Sequence, residues 1–367
     1  MIKKKVCFIA QFPPPIHGLS KAVETLYNSE LQNEFEFEKV DITNNKKFLK
    51  NLITIWKSKS DLFYFTISQT KWGNVRDLVV FKLLRIQKKK CLVHLHGGYY
   101  RNMVDNDIGN FQRKQNFKAI KKINGVIVLS NSLRSIFQGM IEEQKIYVVP
   151  NCIDNQFLIS DNEFERKLIK SKSKEVLHVL YLSNFIKSKG YRDVLELAKF
   201  EKERCSNKGE KRRLHFDFAG KFFEEREKSY FDKFIADYQL NDYITYHGIV
   251  GGKEKKQLLK ESDIFVLLTR YPNEGQPISI LEAMGNGLFI VTTDHAGIPD
   301  IVRDEVNGII MRKSNTVKKL YKNIIKLYDF KLREKIIINN RIEVKKKYTE
   351  EIYIENMKKV KNKILNK

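Results

Sequence analysis

Short apolar runs alternate with amphipathic segments along almost the whole chain. In the first half each apolar run is only a few residues long, and the segments between the runs carry apolar residues at helical spacing, as at Val23, Leu26 and Leu31. Such runs, separated by helices, indicate buried β-strands joined by crossovers, which is the pattern of a parallel sheet. Strands are predicted at 6–10, 35–41, 62–67, 91–96, 126–129 and 146–149.

The second half repeats the alternation, with strands predicted at 176–182, 215–219, 244–246, 264–268, 289–292 and 309–311. Between the halves, a polar stretch ends in Lys-Ser-Lys-Ser-Lys and is predicted to be a linker. The length also favours two domains, because single cores rarely grow beyond ~250–300 residues. The predicted parts are therefore domains at 1–160 and 176–345, a linker at 161–175 and a final helix at 346–367.

This pattern predicts the α/β class, with two Rossmann-like domains that face each other across a cleft. Doubly wound sheets bind ligands at the carboxyl ends of their strands. Two placements are open for the Lys-rich C-terminal segment, 341–367. It either packs back on the N-terminal domain, which its apolar residues Ile352, Ile354, Met357 and Val360 favour, or it lies on an anionic membrane.

The chain is strongly basic, with 68 Lys and Arg against 44 Asp and Glu and a formal net charge of +24. The excess is spread over both halves rather than gathered in one arm, and a diffuse positive field attracts anionic partners. The sequence has neither the Cys and His spacing of zinc fingers nor aromatic-rich RNA-binding strands. An anionic membrane surface is therefore predicted as a partner, and nucleic acid is not.

The cysteines and the lengths of the apolar runs indicate the cellular compartment of the protein. The four cysteines are scattered, which favours a reduced protein over a disulfide framework or a zinc site. The apolar runs are shorter than the ~18 residues of a membrane-spanning helix, and the run after Met-Ile-Lys-Lys-Lys is too short for a signal peptide. We therefore predict a cytoplasmic protein, with attachment to the inner face of the plasma membrane as an open alternative.

One segment of the second half, YPNEGQPISILEAMGNG, carries the most specific chemistry. Pro277 suits the first turn of a helix. The N–H groups of Ile278 and Ser279 would then form an anion site that suits a diphosphate. Glu282, about one turn further along, can accept hydrogen bonds from the hydroxyls of a ribose. Glu274, on the loop before the helix, can meet a transferred sugar.

This segment resembles the donor-site signature of the retaining glycosyltransferases of family 4, which have the GT-B fold. The match runs from Glu274 and Gly275 through Pro277 to the Leu-Glu-Ala-Met of the helix. Other phrases follow in the family's order, so the resemblance covers nearly the whole chain. It implies a nucleotide sugar as the donor and assigns Gly275 and Pro277 to its binding loop.

Two phrases of the first half resemble the family's motifs. Pro-Pro-Pro-Ile-His-Gly resembles its first strand-to-helix loop, which would bring Gly18 to the donor phosphates, although His17 replaces a glycine that is often found there. His-Leu-His-Gly-Gly resembles its His-Gly corner, where His96 would touch the transferred sugar. His94 lies on the same face of that strand and is interpreted as support for His96.

Two phrases of the second half also match. Residues 182–190 resemble the family's phosphate-binding loop, with Lys189 in the position of its lysine. Asn184, however, stands where arginine is usual, so one cation is lost unless Lys187 or another basic residue compensates. Residues 246–250 resemble the strand and loop that line the nucleotide base.

By this resemblance the chain is a hexosyltransferase that moves a sugar to a hydroxyl of a glycan or lipid-linked glycan in surface polysaccharide synthesis. UDP is favoured over GDP as the nucleotide. The acceptor attacks on the face from which the diphosphate leaves, so that configuration is retained, with His96 and Glu274 orienting the sugar. No metal or other cofactor is expected to be obligatory. Asp105-Asn106-Asp107 matches the metal-binding pattern of the other large glycosyltransferase fold, but it is predicted to lie in a loop.

Two alternatives stay open. The first is another reaction on this fold, such as that of a sugar phosphorylase or a sugar-nucleotide epimerase. The second is a non-catalytic partner subunit, which Asn184 favours. The presence of His96, Lys189, Glu274 and Glu282 argues against this second alternative.

Overall fold

The computed structural model describes residues 3–15, 18–312 and 316–366 and divides the chain into two units. Unit 1 consists of Met1–Cys152, Pro272–Gln276 and Glu350–Lys367. Unit 2 consists of Ile153–Tyr271 and Pro277–Thr349. The chain therefore passes between the units three times after its first boundary, and a five-residue piece from the middle of the second half belongs to unit 1.

The regular elements alternate as the hydrophobic pattern predicts. The strands are β1 Lys4–Ala10, β2 Phe35–Asp41, β3 Leu62–Thr66, β4 Lys90–His94, β5 Gly125–Val128, β6 Ile146–Val148, β7 Leu177–Leu182, β8 Leu214–Ala219, β9 Ile244–Tyr246, β10 Ile264–Leu267, β11 Phe289–Thr293 and β12 Gly308–Met311. The α-helices are α1 Gly18–Tyr27, α2 Phe48–Lys57, α3 Lys71–Ile86, α4 Tyr100–Asn102, α5 Asn110–Ile120, α6 Asp161–Ser171, α7 Tyr191–Lys208, α8 Glu225–Asp237, α9 Gly252–Glu261, α10 Ile278–Gly285, α11 Val317–Ile325, α12 Phe330–Lys347 and α13 Glu350–Leu365.

Shorter helical turns connect these elements. The 3-10 turns are Glu30–Asn33, Asn45–Lys47, Ser132–Phe137, Glu143–Lys145, Asn155–Phe157, Lys187–Lys189, Ile298–Asp300 and Lys326–Tyr328, and a π-helical turn spans Met103–Asp107.

The sheet of unit 1 has six parallel strands in the order β2-β1-β3-β4-β5-β6. Val6 of β1 pairs with Phe37 of β2 on one side and with Leu62 of β3 on the other. Every residue of β3 is buried, and so is β1 from Val6 onward. Burial on both faces explains why these strands are continuous apolar runs rather than alternating ones.

The sheet of unit 2 also has six parallel strands, in the order β12-β11-β10-β7-β8-β9. Val179 of β7 pairs with Phe216 of β8 and with Ile264 of β10, so the first and fourth strands of this unit are neighbours. This is the doubly wound order, in which the crossovers on either side of that pair run in opposite directions across the sheet. The two parallel sheets confirm the α/β class predicted from the sequence.

The segment predicted to be a linker, 161–175, consists mostly of helix α6 and belongs to unit 2, which begins at Ile153 rather than near residue 161. A capping box starts the helix: Ser160 and Glu163 exchange hydrogen bonds between side chain and backbone. Glu163 also lies 2.7 Å from Lys260 of α9. The polar composition of this segment led to the prediction of a linker, but the segment is a capped helix with an ion pair to α9.

Helix α13 packs against the sheet of unit 1. Tyr353, Met357, Val360 and Ile364 join the hydrophobic core that contains Phe8 of β1. At its carboxyl end, the Lys90 ammonium donates to the Ile364 and Leu365 carbonyls at 3.1 and 3.0 Å, which satisfies two acceptors that a helix terminus leaves open. Within the part of the chain that the structure describes, no helix is both long and apolar enough to span a membrane.

Candidate active site

The doubly wound order of unit 2 places a switch point between β7 and β10, and crevices at such points bind ligands. The loops that follow the two strands touch there. The Arg270 N–H donates to the Ser188 carbonyl at 2.6 Å. Gly190 lies so close to β10 that an added Cβ would be 2.5 Å from the Leu268 carbonyl oxygen, and its φ of +80° is one that glycine adopts at little cost. The loop after β7 is therefore built against the end of β10.

Two basic side chains stand at this switch point. Lys189 ends the loop after β7, with its ammonium 5.1 Å from the centre of the Tyr271 ring. Arg270 follows β10, and its guanidinium forms a loose ion pair with Asp294, at 3.9 Å. Asn184, half-buried at the start of the loop, accepts a hydrogen bond from the Tyr181 hydroxyl on its carbonyl. The sequence prediction missed Arg270, although its position directly after a predicted strand was a usable signal.

Helix α10 begins at the same edge of the sheet, after Pro277, as the sequence predicts. Its first N–H groups, at Ile278 and Ser279, are ones for which a helix has no internal acceptor. Together with the helix dipole, they make this terminus suited to an anion. From Ile280 to Gly285 every residue of α10 is buried, because the helix lies in the core of unit 2.

The Glu282 carboxylate is buried on α10 and accepts a hydrogen bond from the Lys255 ammonium at 2.6 Å. Burial raises the pKa of Glu282 above its ordinary value, and the charge of Lys255 opposes that rise. Lys255 comes from α9 and also lies 4.1 Å from the centre of the Phe157 ring. Lys255 is a second residue that the sequence analysis missed. Helix α9 carries several lysines, and the sequence does not show which of them points toward Glu282.

Cations from outside α10 hold its carboxyl end. The Arg341 guanidinium donates to the Gly285 carbonyl at 2.6 Å. The Lys167 ammonium donates to the Asn286 carbonyl at 2.8 Å and to the last turn of α9, at Leu259, at 3.0 Å. Positive groups at a carboxyl terminus complement the helix dipole, so the helix that carries Glu282 is fixed at the end opposite its N-terminus.

In unit 1, the segment Pro272–Gln276 lies against the ends of β4 and β6. An added Cβ on Gly275 would be 2.5 Å from the His96 carbonyl oxygen, and one on Gly97 would be 2.6 Å from the Asn273 carbonyl oxygen. The Asn151 N–H donates to the Gln276 side chain at 2.8 Å. The structure therefore brings the buried residue Glu274 to the strand end that carries His96.

His94 lies directly beneath His96, with ring centroids 3.9 Å apart. Its Nδ1 shares a 2.6 Å hydrogen bond with the hydroxyl of Tyr64, which lies on the neighbouring strand β3. Burial and the neighbouring His96 lower the pKa of His94 well below its ordinary value, so its ring is neutral near pH 7. The support that the sequence suggested for His96 is thus a neutral ring held by a tyrosine.

The structure places the other predicted residues as follows. Gly18 is the first residue of α1, whereas His17 and Ile16 lie outside the described residues. Asp105 lies in the π-helical turn rather than at a strand end, and its carboxylate bonds Arg101 at 2.6 Å and Arg113 at 2.8 Å. Asp105 is therefore engaged by two guanidinium groups.

The loop predicted to line the nucleotide base follows β9. Its histidine, His247, donates from Nε2 to the buried Asp217 carboxylate at 2.8 Å, and His178 of β7 donates from Nδ1 to the other oxygen of that carboxylate at 2.7 Å. Hydrogen bonds from the two imidazoles hold the pKa of Asp217 below its usual range despite burial, which alone would raise it.

Comparison with known proteins gives consistent matches. Residues 161–343 match the model of the family described as glycosyl transferases group 1. The chain is 25% identical, over 88% of its length and 80% of the relative's, to the uncharacterized glycosyltransferase MJ1069 of Methanocaldococcus jannaschii. It is 23% identical, over 78% of its length and 72% of the relative's, to the UDP-Gal:alpha-D-GlcNAc-diphosphoundecaprenol alpha-1,3-galactosyltransferase of Escherichia coli.

Among solved structures, Alr3699/HepE of Anabaena in complex with UDP matches with a TM-score of 0.74 at 14% identity. The match covers 98% of this chain and 100% of that one. A likeness at this identity shows the fold, and it confirms the GT-B fold predicted from the sequence.

Proposed function

We propose that this chain, in which residues 161–343 form a group 1 glycosyl transferase domain, is a retaining glycosyltransferase that uses a nucleoside diphosphate sugar. One observation carries the proposal. Lys189 and Arg270 stand at the carboxyl ends of β7 and β10, at the sheet edge where α10 begins, and the buried Glu282 lies one turn into that helix. Cations and the N–H groups of a helix terminus bind a diphosphate, and a carboxylate accepts hydrogen bonds from a ribose diol, so these groups suit a nucleoside diphosphate.

In unit 2, the diphosphate would bind Lys189, Arg270 and the N–H groups of Ile278 and Ser279. These groups also stabilise the charge that accumulates on the diphosphate as the sugar departs, which is the main electrostatic task in such a reaction. Arg270 supplies the cation that Asn184 does not.

The ribose would bind Glu282 and Lys255. A carboxylate accepts hydrogen bonds from hydroxyls and an ammonium donates to them, so the 2.6 Å pair offers both partners to a vicinal diol. A buried, preformed pair of this kind loses little freedom when the ligand arrives.

In unit 1, His96 and Glu274 would contact the transferred sugar. The bond between the anomeric carbon and the phosphate oxygen breaks, and a bond from the acceptor hydroxyl oxygen forms on the same face. The acceptor proton passes to the departing phosphate oxygen, so configuration is retained without a protein nucleophile. Gly18 is assigned to the donor phosphates on the resemblance alone.

UDP is the proposed nucleotide and a lipid-linked glycan the proposed acceptor. The matched Anabaena structure contains UDP, and the E. coli relative is named for UDP-Gal and for a diphosphoundecaprenol-linked GlcNAc. We propose that no metal is obligatory, because cationic groups already serve the diphosphate and Asp105 is engaged by Arg101 and Arg113. Peripheral attachment to a membrane, in a role in polysaccharide synthesis, is part of the proposal.

The reaction is tested by incubating the protein with UDP-glucose or UDP-galactose and a GlcNAc-diphosphate-lipid analogue, and measuring UDP release and the new linkage by NMR. We expect an α-linked product, and a loss of about a hundredfold or more in kcat/KM for Glu274→Ala. A β-linked product would contradict retention.

One of the two alternatives, a non-catalytic subunit, is favoured by a specific observation. The observation that favours it is Asn184, which presents an amide where the resemblance leads one to expect a guanidinium. A protein that binds UDP tightly but releases none from either donor, with any acceptor lipid, would support this alternative over transfer.

A further inference from the structure

Exposed apolar side chains concentrate on one layer of unit 1. On α2, Leu49, Ile53 and Trp56 are 75%, 57% and 51% exposed. Their spacing, i, i+4 and i+7, places them on one face of the helix. The buried Ile55 lies on the opposite side, so the apolar stripe of α2 points away from the core.

Helix α3 is apolar on two opposite faces. One face, with Val80 and Leu84, is buried against unit 1. The other carries apolar side chains that are all exposed, Trp72 at 79% most of all: Trp72, Val75, Val79 and Ile86. A surface helix normally carries polar residues on the face away from the core, so the outward apolar side chains of α3 are unusual for a face exposed to solvent.

The two stripes belong to one surface. The Gln87 side chain at the end of α3 donates to the Trp56 carbonyl near the end of α2 at 2.6 Å, so the helices lie side by side. On α5, Gln112 donates to the Lys71 carbonyl at the start of α3 at 3.1 Å, and its neighbour Phe111 is exposed. We name the α2–α3 face as the following residues: Leu49, Ile53, Trp56, Trp72, Val75, Val79, Ile86 and Phe111.

Basic residues surround this face. The segment 44–60 has no Asp or Glu, and its lysines are Lys46, Lys47, Lys50, Lys57 and Lys59. The segment 70–89 has the exposed Lys71, Lys82, Arg85 and Lys88 and the half-buried Arg76 and Lys89. Its one acid, Asp77, is buried and bonded to Arg76 at 2.8 Å. The charged residues of the two segments that carry this face are therefore almost entirely cationic.

The α2–α3 face also exposes two tryptophan side chains. The chain has two tryptophans, Trp56 and Trp72, and both project from this surface. An indole is largely apolar but carries one polar N–H, and it is favoured at the level of the lipid headgroups. A surface with apolar residues and tryptophan at its centre and lysine at its border has the composition of an interfacial membrane anchor.

We propose that the α2–α3 face docks unit 1 on an anionic lipid bilayer, with the apolar side chains inserted at the headgroup level and the lysines on acidic headgroups. The cationic border favours a lipid surface over a second copy of this chain, because two such borders would repel each other. The proposal specifies the surface for the membrane attachment that is part of the proposed function, and it does not rest on glycosyl transfer, since binding to lipid needs no donor. It also assigns the membrane contact to α2 and α3, whereas the sequence analysis considered the C-terminal helix for that contact.

The experiment is flotation of the full chain with phosphatidylcholine vesicles that contain or lack phosphatidylglycerol. We expect flotation with the acidic vesicles, reduced by salt, and weak flotation with the neutral ones. Because both tryptophans lie on the face, intrinsic fluorescence should shift to the blue on binding. Trp56→Ser together with Trp72→Ser should lower partitioning at least about tenfold.

The matched control changes two exposed apolar residues of unit 2, Phe223→Ser and Ile249→Ser, which are 60% and 71% exposed. This variant should float like the unaltered protein. The single variants each keep one tryptophan as the reporter, and thermal melting of every variant shows whether it is folded.

Three outcomes would overturn the proposal: no flotation of the unaltered protein, equal flotation with neutral vesicles, or flotation that the tryptophan variants leave unchanged. A dimer in light scattering that Trp72→Ser dissociates, with no flotation, would assign the face to a second copy instead. Failure of UDP binding or transfer would leave these lipid results unaffected, so the two proposals fail separately.

Discussion

At the residue scale, Arg270 can supply the positive charge that is lost where Asn184 stands in place of the usual arginine. The usual arginine of the loop after β7 is missing, but a guanidinium stands one strand away, where the Arg270 N–H bonds Ser188. A charge that binds a diphosphate must be near the phosphates but need not come from a particular strand. Arg270 is therefore expected to contribute to nucleotide affinity.

We predict that Arg270→Ala weakens UDP binding by about tenfold or more, since a hydrogen bond to a charged group is worth roughly 1.5–3 kcal/mol. Lys187→Ala, which removes an exposed cation from the loop after β7, should change affinity by less than about threefold. Adding Asn184→Arg to the Arg270→Ala protein should restore binding. Calorimetric titration measures all three, and an Arg270→Ala protein with unaltered affinity would remove Arg270 from the site.

Gly190 tests the contact between the two loops. An alanine there combines a positive φ with a Cβ that would be 2.5 Å from a carbonyl oxygen. Gly209 has a similar φ of +63° but open space around it, so Gly209→Ala carries only the backbone cost of about 1 kcal/mol.

We predict that Gly190→Ala lowers the free energy of unfolding by at least about 1 kcal/mol more than Gly209→Ala does. Urea unfolding of both proteins makes the comparison. Equal losses would mean that the loop after β7 moves freely away from β10.

At the scale of the element, α13 contains a buried lysine, which the sequence analysis did not predict. Lys361 is fully buried, and its ammonium lies 4.7 Å and 4.9 Å from the centres of the Phe37 and Phe8 rings. Among the described residues, its Nζ has no hydrogen-bond partner. Burial lowers the pKa of Lys361 from 10.5 to about 7.

The sign of the pH dependence follows from that shift. Between about pH 7 and 10.5 the unfolded chain holds a proton on Lys361 that the folded chain lacks, so stability rises with pH in this window. Lys361→Met should raise stability near pH 6 and reduce the slope above pH 7 by up to about 1.4 kcal/mol per pH unit.

Urea unfolding from pH 6 to pH 9 checks this prediction. Lys358→Met, on the exposed side of the same helix, is the control and should leave the slope unchanged. If Lys361→Met lowers stability at every pH, the ammonium is stabilised by the rings and the sign is wrong.

The elements themselves were largely predictable. Parallel strands buried on both faces are continuous apolar runs, so β1, β3 and β7 could be found from their sequences. Helix α6 was missed because few of its residues are apolar: Phe164 and Leu168 pack inward, and the Ser160–Glu163 capping box and an ion pair to Lys260 add to its stability. Local polarity alone does not distinguish such a helix from a linker.

At the scale of the whole molecule, the residues of the candidate site fall into two groups. His96, Glu274, Lys189 and Glu282 lie in local motifs, so the resemblance could find them. Lys255 lies on α9 and Arg270 follows β10, so their positions in the candidate site depend on how these two elements pack. Pairs formed by tertiary contact are the part that one sequence does not show.

The most direct test of the donor site is a thermal-shift measurement with UDP, GDP and ADP, without added metal, on the unaltered protein and on Glu282→Ala. Glu343→Ala removes another carboxylate of unit 2 and is the control. A ligand at a hundred times its Kd adds about 2.7 kcal/mol of stability. We predict that UDP stabilises the unaltered protein and Glu343→Ala but not Glu282→Ala. Stabilisation of none of them, or of Glu282→Ala to the same extent, would contradict the account.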